Sequence, residues 1–539
     1  MTSSPEKIFE EYKAAADFKE GLGKHGLAQQ NRINERFYVG DQWHGVGNKS
    51  EKPLVRHNII RRIGDFKIAE ISSAPVELRF EAEGFAQNSE AREMVLKERK
   101  NLSKNADTVF APLKSENEVA LMVSALNSYR KTTEKRIGFN RIVEQALKDA
   151  YVTGTGAVYT YYDPDIKTGL FADKEFKTPI LGDIVCERVR VEDIYFGDPG
   201  ITEIQKQPYI ILTEEKSCLE LAAEALRFGA PVSHIQGLKA RGSEKTVVFT
   251  KLYKVKEKGK TLVYAAKTTD TYVVRPDFCV GISSYPLSVF SWERREGSIY
   301  GDSEITYLIP NQIAINRMIT AGVWSAMSSG MPLMVVNGDL VGGEITNEPG
   351  QVIKVYGSAE DIDSAVNYIN PPDHSSGYNQ TVETLIYNTL TQSGANQAAL
   401  GDLEATNTSA IMELREASAK HLIPLKGRFY RFLEDIANVW ADFFFSMYGK
   451  RSLKICDENG VWYFPFDAKR YSSLVISVTA EANEGITKSK KQTVELLGNL
   501  LDKGAITPVQ YLKRLPEGMI PDLKSLVAEL EKENENERI

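Results

Sequence analysis

The sequence predicts an α+β chain in which a strand-rich block is followed by long helices. Three patterns carry that prediction. Between Ile184 and Ser291, short β-branched and aromatic runs recur: Val185-Cys186-Glu187-Arg188-Val189, Tyr209-Ile210-Ile211-Leu212, Val247-Val248-Phe249 and Thr261-Leu262-Val263-Tyr264. From Gly301 the period changes, and Ile305, Leu308, Ile309, Ile315, Met318, Ile319 and Val323 step mostly by threes and fours. A small insert at 331–377 then holds Leu333-Met334-Val335-Val336 and Val352-Ile353-Lys354-Val355 around a glycine-rich turn. With 539 residues, 42% of them hydrophobic, the chain exceeds one simple core, so two or more domains are expected.

The N-terminal text is helical. Ser4-Pro5 reads as a helix cap with proline in the first turn, and Ile8, Tyr12 and Ala15 follow at helical spacing. Glycines at 21, 23 and 26 interrupt it. A second helix leads to the Gly40-Asp41 turn. Ile59, Ile63, Phe66, Ile68 and Ile71 mark one face of a third, and Arg56, Arg61, Arg62 and Lys67 read as its solvated face. Pro75 ends that helix, and Val76 to Phe80 alternates like a strand. Residues 81–117 lack a clear period.

Gly138 to Tyr151 is helical, and Gly154-Thr155-Gly156 turns it into a strand. This is half a dinucleotide fingerprint, but it follows a helix rather than opening one, so the cofactor reading is rejected. One helix, about Lys216 to Phe228, interrupts the strand block. In the helical region Pro310 should bend or restart its helix, and Gly330 with Pro332 should end it. Tyr378, Val382, Leu385, Ile386 and Leu390 form another stripe, stopped at Ser393-Gly394. Residues 395–409 are small and polar, a loop ending in a cap. The strongest stripe follows, Ile411 to Phe443. It predicts a helix of roughly 40 residues, ~60 Å long, kinked near Pro424 and Gly427. Strands return at Val461–Phe466 and Leu474–Thr479, then short helices at Lys490–Leu501, after Thr507-Pro508 and at Asp522–Glu531, before an acidic tail.

No P-loop, GxSxG, HExxH or calcium-loop motif is present. The six histidines are scattered, and His57 and His421 read as packed or solvated rather than catalytic. Acidic pairs Glu214-Glu215 and Asp361/Asp363 read as surface, and Asp163-Pro164-Asp165 as a turn. The four cysteines, Cys186, Cys218, Cys279 and Cys456, form no CxxC pair, so buried reduced thiols are expected, with no metal and no cofactor. Neither a membrane-spanning stretch nor a signal peptide is read, which predicts an intracellular protein. Net charge is −7, so tight DNA binding is not expected.

Several phrases, taken in order, resemble those of tailed-bacteriophage portal proteins. Arg36-Phe37-Tyr38-Val39-Gly40-Asp41-Gln42-Trp43 is similar to the FYxGxQW phrase near the start of many of them, as is Arg56-His57-Asn58-Ile59-Ile60 after it. Tyr151 to Gly156 resembles the turn into a wing strand, and Val191 to Pro199 an "xxDxxxxDP" phrase. Tyr300-Gly301-Asp302-Ser303-Glu304, followed by Ile309-Pro310-Asn311-Gln312 and Ile315-Asn316, resembles the start of the first stem helix.

The resemblance covers most of the chain and implies a portal-like fold. Its parts would be a wing at 1–300, stem helices at 301–330 and 378–394, a clip at 331–377, a tunnel loop at 395–409, a kinked helix with wing return at 410–484, and a short helical crown at 485–539. It implies a ring of twelve copies at one capsid vertex of the virion, a channel for packaging and ejecting double-stranded DNA. Implied partners are major capsid protein, scaffold, terminase large subunit and a head–tail adaptor; no membrane and no catalysis are implied. Channel contacts would come from Gln392, Asn396, Gln397, Asp402, Glu404 and Asn407, and clip docking from Asp339, Glu344, Glu348, Asp361 and Asp363. An acidic channel, repelling phosphate so that DNA slides, would suit the net charge. The competing readings are another virion structural or head–tail adaptor protein, and a nucleic-acid enzyme with an unfamiliar site.

Overall fold

A computed structural model describes the chain except for residues 1–3, 45–53, 74–75, 83–115, 172–178, 258, 331–332, 344–351, 353, 359–364, 370–374, 396–399, 401–417, 458–459, 472–473, 483–489, 516–525 and 528–539. It is a mixed α and β protein of two compact units, residues 1–71 with 80–478, and residues 72–79 with 479–539.

The larger unit begins with helices α1 (Pro5–Glu20), α2 (Leu27–Val39) and α3 (Ile59–Ser72). Ser4 caps α1 by accepting from the Lys7 amide, as the Ser4-Pro5 pair predicts. Strand β1 is Val76–Ala82. Helices α4 (Glu116–Ile137) and α5 (Phe139–Thr153) follow. Two antiparallel sheets then form the strand-rich block. One holds β2 (Thr155–Phe171), β3 (Pro179–Val189) and, after β4 to β8, β9 (Leu287–Ser291), in the order β3-β2-β9. The other is β4 (Ile194–Phe196), β5 (Tyr209–Ser217), β6 (Lys245–Glu257), β7 (Lys260–Thr268) and β8 (Val273–Cys279), in chain order. Helices α6 (Cys218–Arg227) and α7 (Val232–Ala240) sit between β5 and β6.

The five-stranded sheet is covered on both faces. Neighbouring strand residues point to opposite sides. Val248 therefore packs with Leu221, Ala225 and Leu238 of α6 and α7, and Phe249 packs with Ile8 of α1.

Helix α8 (Glu304–Ser329) runs into small strands β10 (Leu333–Val336), β11 (Val341–Gly342), β12 (Lys354–Val355) and β13 (Val366–Ile369), and α9 (Ser375–Gln392) returns. The small strands pair β10 with β13 and β11 with β12, both antiparallel. Helix α10 (Ile423–Met447) buries Phe432, Trp440, Phe443 and Phe444, and leads to hairpin β14 (Lys450–Asp457) and β15 (Gly460–Asp467) and the short α11 (Ala468–Tyr471). Strand β1 pairs with β16 (Ile476–Ala482); the smaller unit continues with α12 (Lys490–Asp502) and α13 (Pro508–Arg514), with Thr507 and Gln510 forming a capping box.

Several expectations need correction. The helix expected at about 216–228 is α6, Cys218–Arg227, but the strand block holds a second helix, α7, which was not expected; Gly229, with a left-handed φ of 70°, and Pro231 separate the two. Pro424 does not kink a helix; it stands in the first turn of α10, after a turn at His421-Leu422. Pro310 does not restart α8, which runs unbroken to Ser329. Strand β2 passes through Asp163-Pro164-Asp165, where the register with β3 shifts and Asp163 accepts from the Asp165 amide. Lys67 is not on a solvated face but buried against Glu304; Glu214 and Glu215 are exposed as expected, with Glu214 bonding Lys216 and Lys267. Cys279 is exposed, while Cys186 and Cys218 are buried; all three are free thiols.

Candidate functional site

The sequence phrases around Gly154 and Gly301 meet in space and form the foot of α8. Gly154 ends α5 at φ 85°, and a Cβ there would lie 2.3 Å from the Gly301 carbonyl oxygen. The Gly301 amide donates to Thr155 Oγ1 at 2.9 Å. Ser303 caps α8, accepting from the Ile305 amide while its hydroxyl donates to the Tyr151 carbonyl. Only glycine allows two backbones to approach this closely.

Glu304 is the buried ion of this foot. Its Oε1 accepts from Lys67 Nζ at 2.6 Å and its Oε2 from Trp292 Nε1 at 3.2 Å. Burial, reinforced by the nearby Glu304 charge, pushes the Glu293 carboxyl above its usual range.

About two turns higher, α8 grips the chain leading into α3. Gln312 and Asn316 are each 1% exposed. Gln312 Oε1 accepts from the Ile59 and Ile60 amides at 3.0 and 3.3 Å, and its Nε2 donates to the His57 carbonyl at 2.6 Å. Asn316 Oδ1 accepts from the His57 amide at 3.0 Å, and its Nδ2 donates to Gln42. Thr320 Oγ1 accepts from the Val55 amide at 3.1 Å. Positions 312, 316 and 320 share one helix face because each is four residues on. They satisfy residues 55–58, a strap that lies in no helix or strand, and the first amides of α3, which have no partner within the helix.

Helix α9 lies antiparallel on α8. Asn311 Nδ2 donates to Thr389 Oγ1, and Gly322 faces the Tyr378 Cβ, which a Cβ on the glycine would meet at 3.3 Å. Along α8 the foot buries Ile305, Leu308, Gln312, Ile315 and Asn316, but beyond Arg317 only Gly322 is buried. Val323, Trp324 and Met327 are exposed there, as are Met334 and Val335 in β10 and Tyr387 on α9. Across both helices the only charged side chains are Glu304, Arg317 and Glu383. The expected acidic surplus is therefore not carried by this hairpin.

Of the residues singled out in the sequence, Gln392 is exposed as the last residue of α9, and Asp339 is exposed in the turn after β10. Asn396, Gln397, Asp402, Glu404 and Asn407 lie outside the described residues, as do Glu344, Glu348, Asp361 and Asp363. Gln312, Asn316 and Thr320 were not singled out as a clamp, although their four-residue spacing was legible. Among the described residues no cluster of three or more His, Cys, Asp or Glu could hold a metal, and no helix is long and apolar enough to cross a membrane. No family model matches the chain, and no curated protein matches it significantly.

Proposed function

We propose that the chain is a ring-forming portal subunit of a tailed bacteriophage, a structural protein of one capsid vertex through whose channel double-stranded DNA enters and leaves. The observation that carries this reading is the α8–α9 hairpin: clamped at its foot, and apolar and nearly uncharged beyond Arg317. A side-by-side copy gives those side chains a covering, and burial of apolar area contributes about 25 cal/mol per Å². Repeating one head-to-tail contact closes a ring when the rotation per subunit divides a full turn. The resemblance implies twelve copies. The neutral Asn, Gln, Ser and Thr content of the helices also suits a wall that DNA must pass without sticking, because few cations are present to release counterions from phosphate. In this reading residues 331–377 form the clip that docks terminase and then the adaptor, 395–409 the tunnel loop, and the strand-rich block the wing beside capsid and scaffold proteins.

The test is the assembled mass of the purified chain, alone and after co-expression with scaffold, with negative-stain images of the same fraction. A particle near twelve times 60.2 kDa with a central hole is expected. A monomer or compact dimer under every condition overturns the reading.

A further inference from the structure

Away from the hairpin, a cleft of about 1050 Å³ opens between the two sheets of the larger unit. Its walls include Tyr159 and Glu187 on one sheet and Thr250, Lys267 and Arg275 on the other. Most of its cations are already engaged. Lys267 bonds Glu214 and Glu224, Lys216 bonds Glu214, Arg188 bonds Asp149 and Arg190 bonds Asp193. Arg227 and Arg275 differ, since neither side chain has an ion pair or a hydrogen bond among the described residues, and Arg275 is the one held between two rings. Its guanidinium carbon instead lies 3.3 Å from the Phe278 ring centre and 3.9 Å from that of Phe228. Rings against the guanidinium faces leave its donors in plane, along the edges, and restrict the rotamers that would otherwise have to be ordered on binding.

We infer that this cleft binds an acidic peptide segment, with Arg275 receiving a carboxylate in its two-pronged fork and Phe228 and Phe278 packing against the neighbouring apolar side chain. A carboxylate matches the guanidinium fork. Phosphate fits less well, since Glu187, Glu214, Glu224 and Asp193 also line the cleft and repel a dianion more than a monoanion. The volume stands at the upper end for a small-molecule site, and suits several residues of peptide. Beside Arg275, the Tyr159 hydroxyl has no hydrogen bond among the described residues and offers a second donor. The inference is independent of ring formation.

The test titrates the full chain by calorimetry with acetyl-Phe-Glu-Phe-amide, with acetyl-Phe-Gln-Phe-amide and with inorganic phosphate. The Glu peptide is expected to saturate and to bind at least tenfold tighter than the Gln peptide, with no saturating phosphate signal. R275M, with an unchanged circular dichroism spectrum, is expected to lose the preference, and R275K to keep only part of it. Equal binding of the two peptides, no binding of either, or phosphate binding as tight as the Glu peptide overturns the assignment. So does an undiminished preference in R275M. If R275M does not fold, R275K and the wild-type peptide pair decide.

Discussion

The two halves of α8 are one continuous helix with opposite surroundings. The foot, up to Asn316, is enclosed by the α5–β2 turn, by Lys67 and by the 55–58 strap with the start of α3, with its polar atoms matched by named partners. The upper half keeps the same apolar composition but exposes Val323, Trp324 and Met327. Composition therefore does not distinguish the halves; what surrounds each in the subunit does. Polar matching at the foot contributes to the stability of the chain itself, whereas the apolar side chains above it are those that a neighbouring copy would cover in the proposed ring.

Mutations can break this contrast from either side. The largest effect is expected at Gly154→Ala, where left-handed backbone and a clash with Gly301 combine. A loss of about 4 kcal/mol in urea unfolding, or failure to recover soluble protein, is expected. Lys67→Met strands the buried Glu304 charge and should cost about 3 kcal/mol, most of it recovered in the Lys67→Met/Glu304→Gln double variant. Gln312→Ala should cost about 2 kcal/mol, and should speed amide hydrogen exchange at Ile59 and Ile60 while sparing β6 and β7. Above Arg317 the pattern should invert. Val323→Ser with Met327→Ser is expected to shift subunit stability by no more than about 0.5 kcal/mol, yet to abolish the large particle in light scattering. Equal loss of stability at both ends would erase the distinction.

The subtlest readout is pH, which reports on the body and hardly at all on the sparsely charged hairpin. Lys19 is buried, its Nζ 3.6 Å from the Tyr195 ring centre and bonded to the Val191 and Glu192 carbonyls. Burial lowers its pKa to about 7, against nearby acidic charges that raise it. The unfolded chain then holds more protons between pH 7 and the ordinary lysine pKa near 10.5, so stability should climb with pH across that window. Lys19→Met should flatten the slope in a series of urea titrations.

What was legible in the sequence was local. Ser4-Pro5 and Thr507-Pro508 announce their helices because cap and first turn lie within four residues. The order helix, insert, helix was legible because its apolar period is carried within each element. What was missed depends on distant partners. Lys67 looks solvated until Glu304 is beside it, and the clamp role of Gln312 and Asn316 needs a strap from the far N-terminal region. Helix α4 carries a stripe, Val119, Met122, Ala125, Leu126 and Tyr129, that was not picked out, and strand β14 follows so closely on α10 that no boundary signal separates it. For the candidate site, Gln392 and Asp339 proved exposed, and the contrast along α8 required the fold.

The strap carries a consequence for biosynthesis. The Ile59 amide and its acceptor on Gln312 are 253 residues apart. At about 5–20 residues per second, the N-terminal segment emerges roughly 13–50 s before α8 exists to receive it. Throughout that interval the Gln312 acceptor does not exist, and the foot of the hairpin cannot close. A nascent chain therefore gains a firmly held hairpin only after more than half of it has been translated, and a product truncated before α8 would leave the first amides of α3 without the Gln312 acceptor.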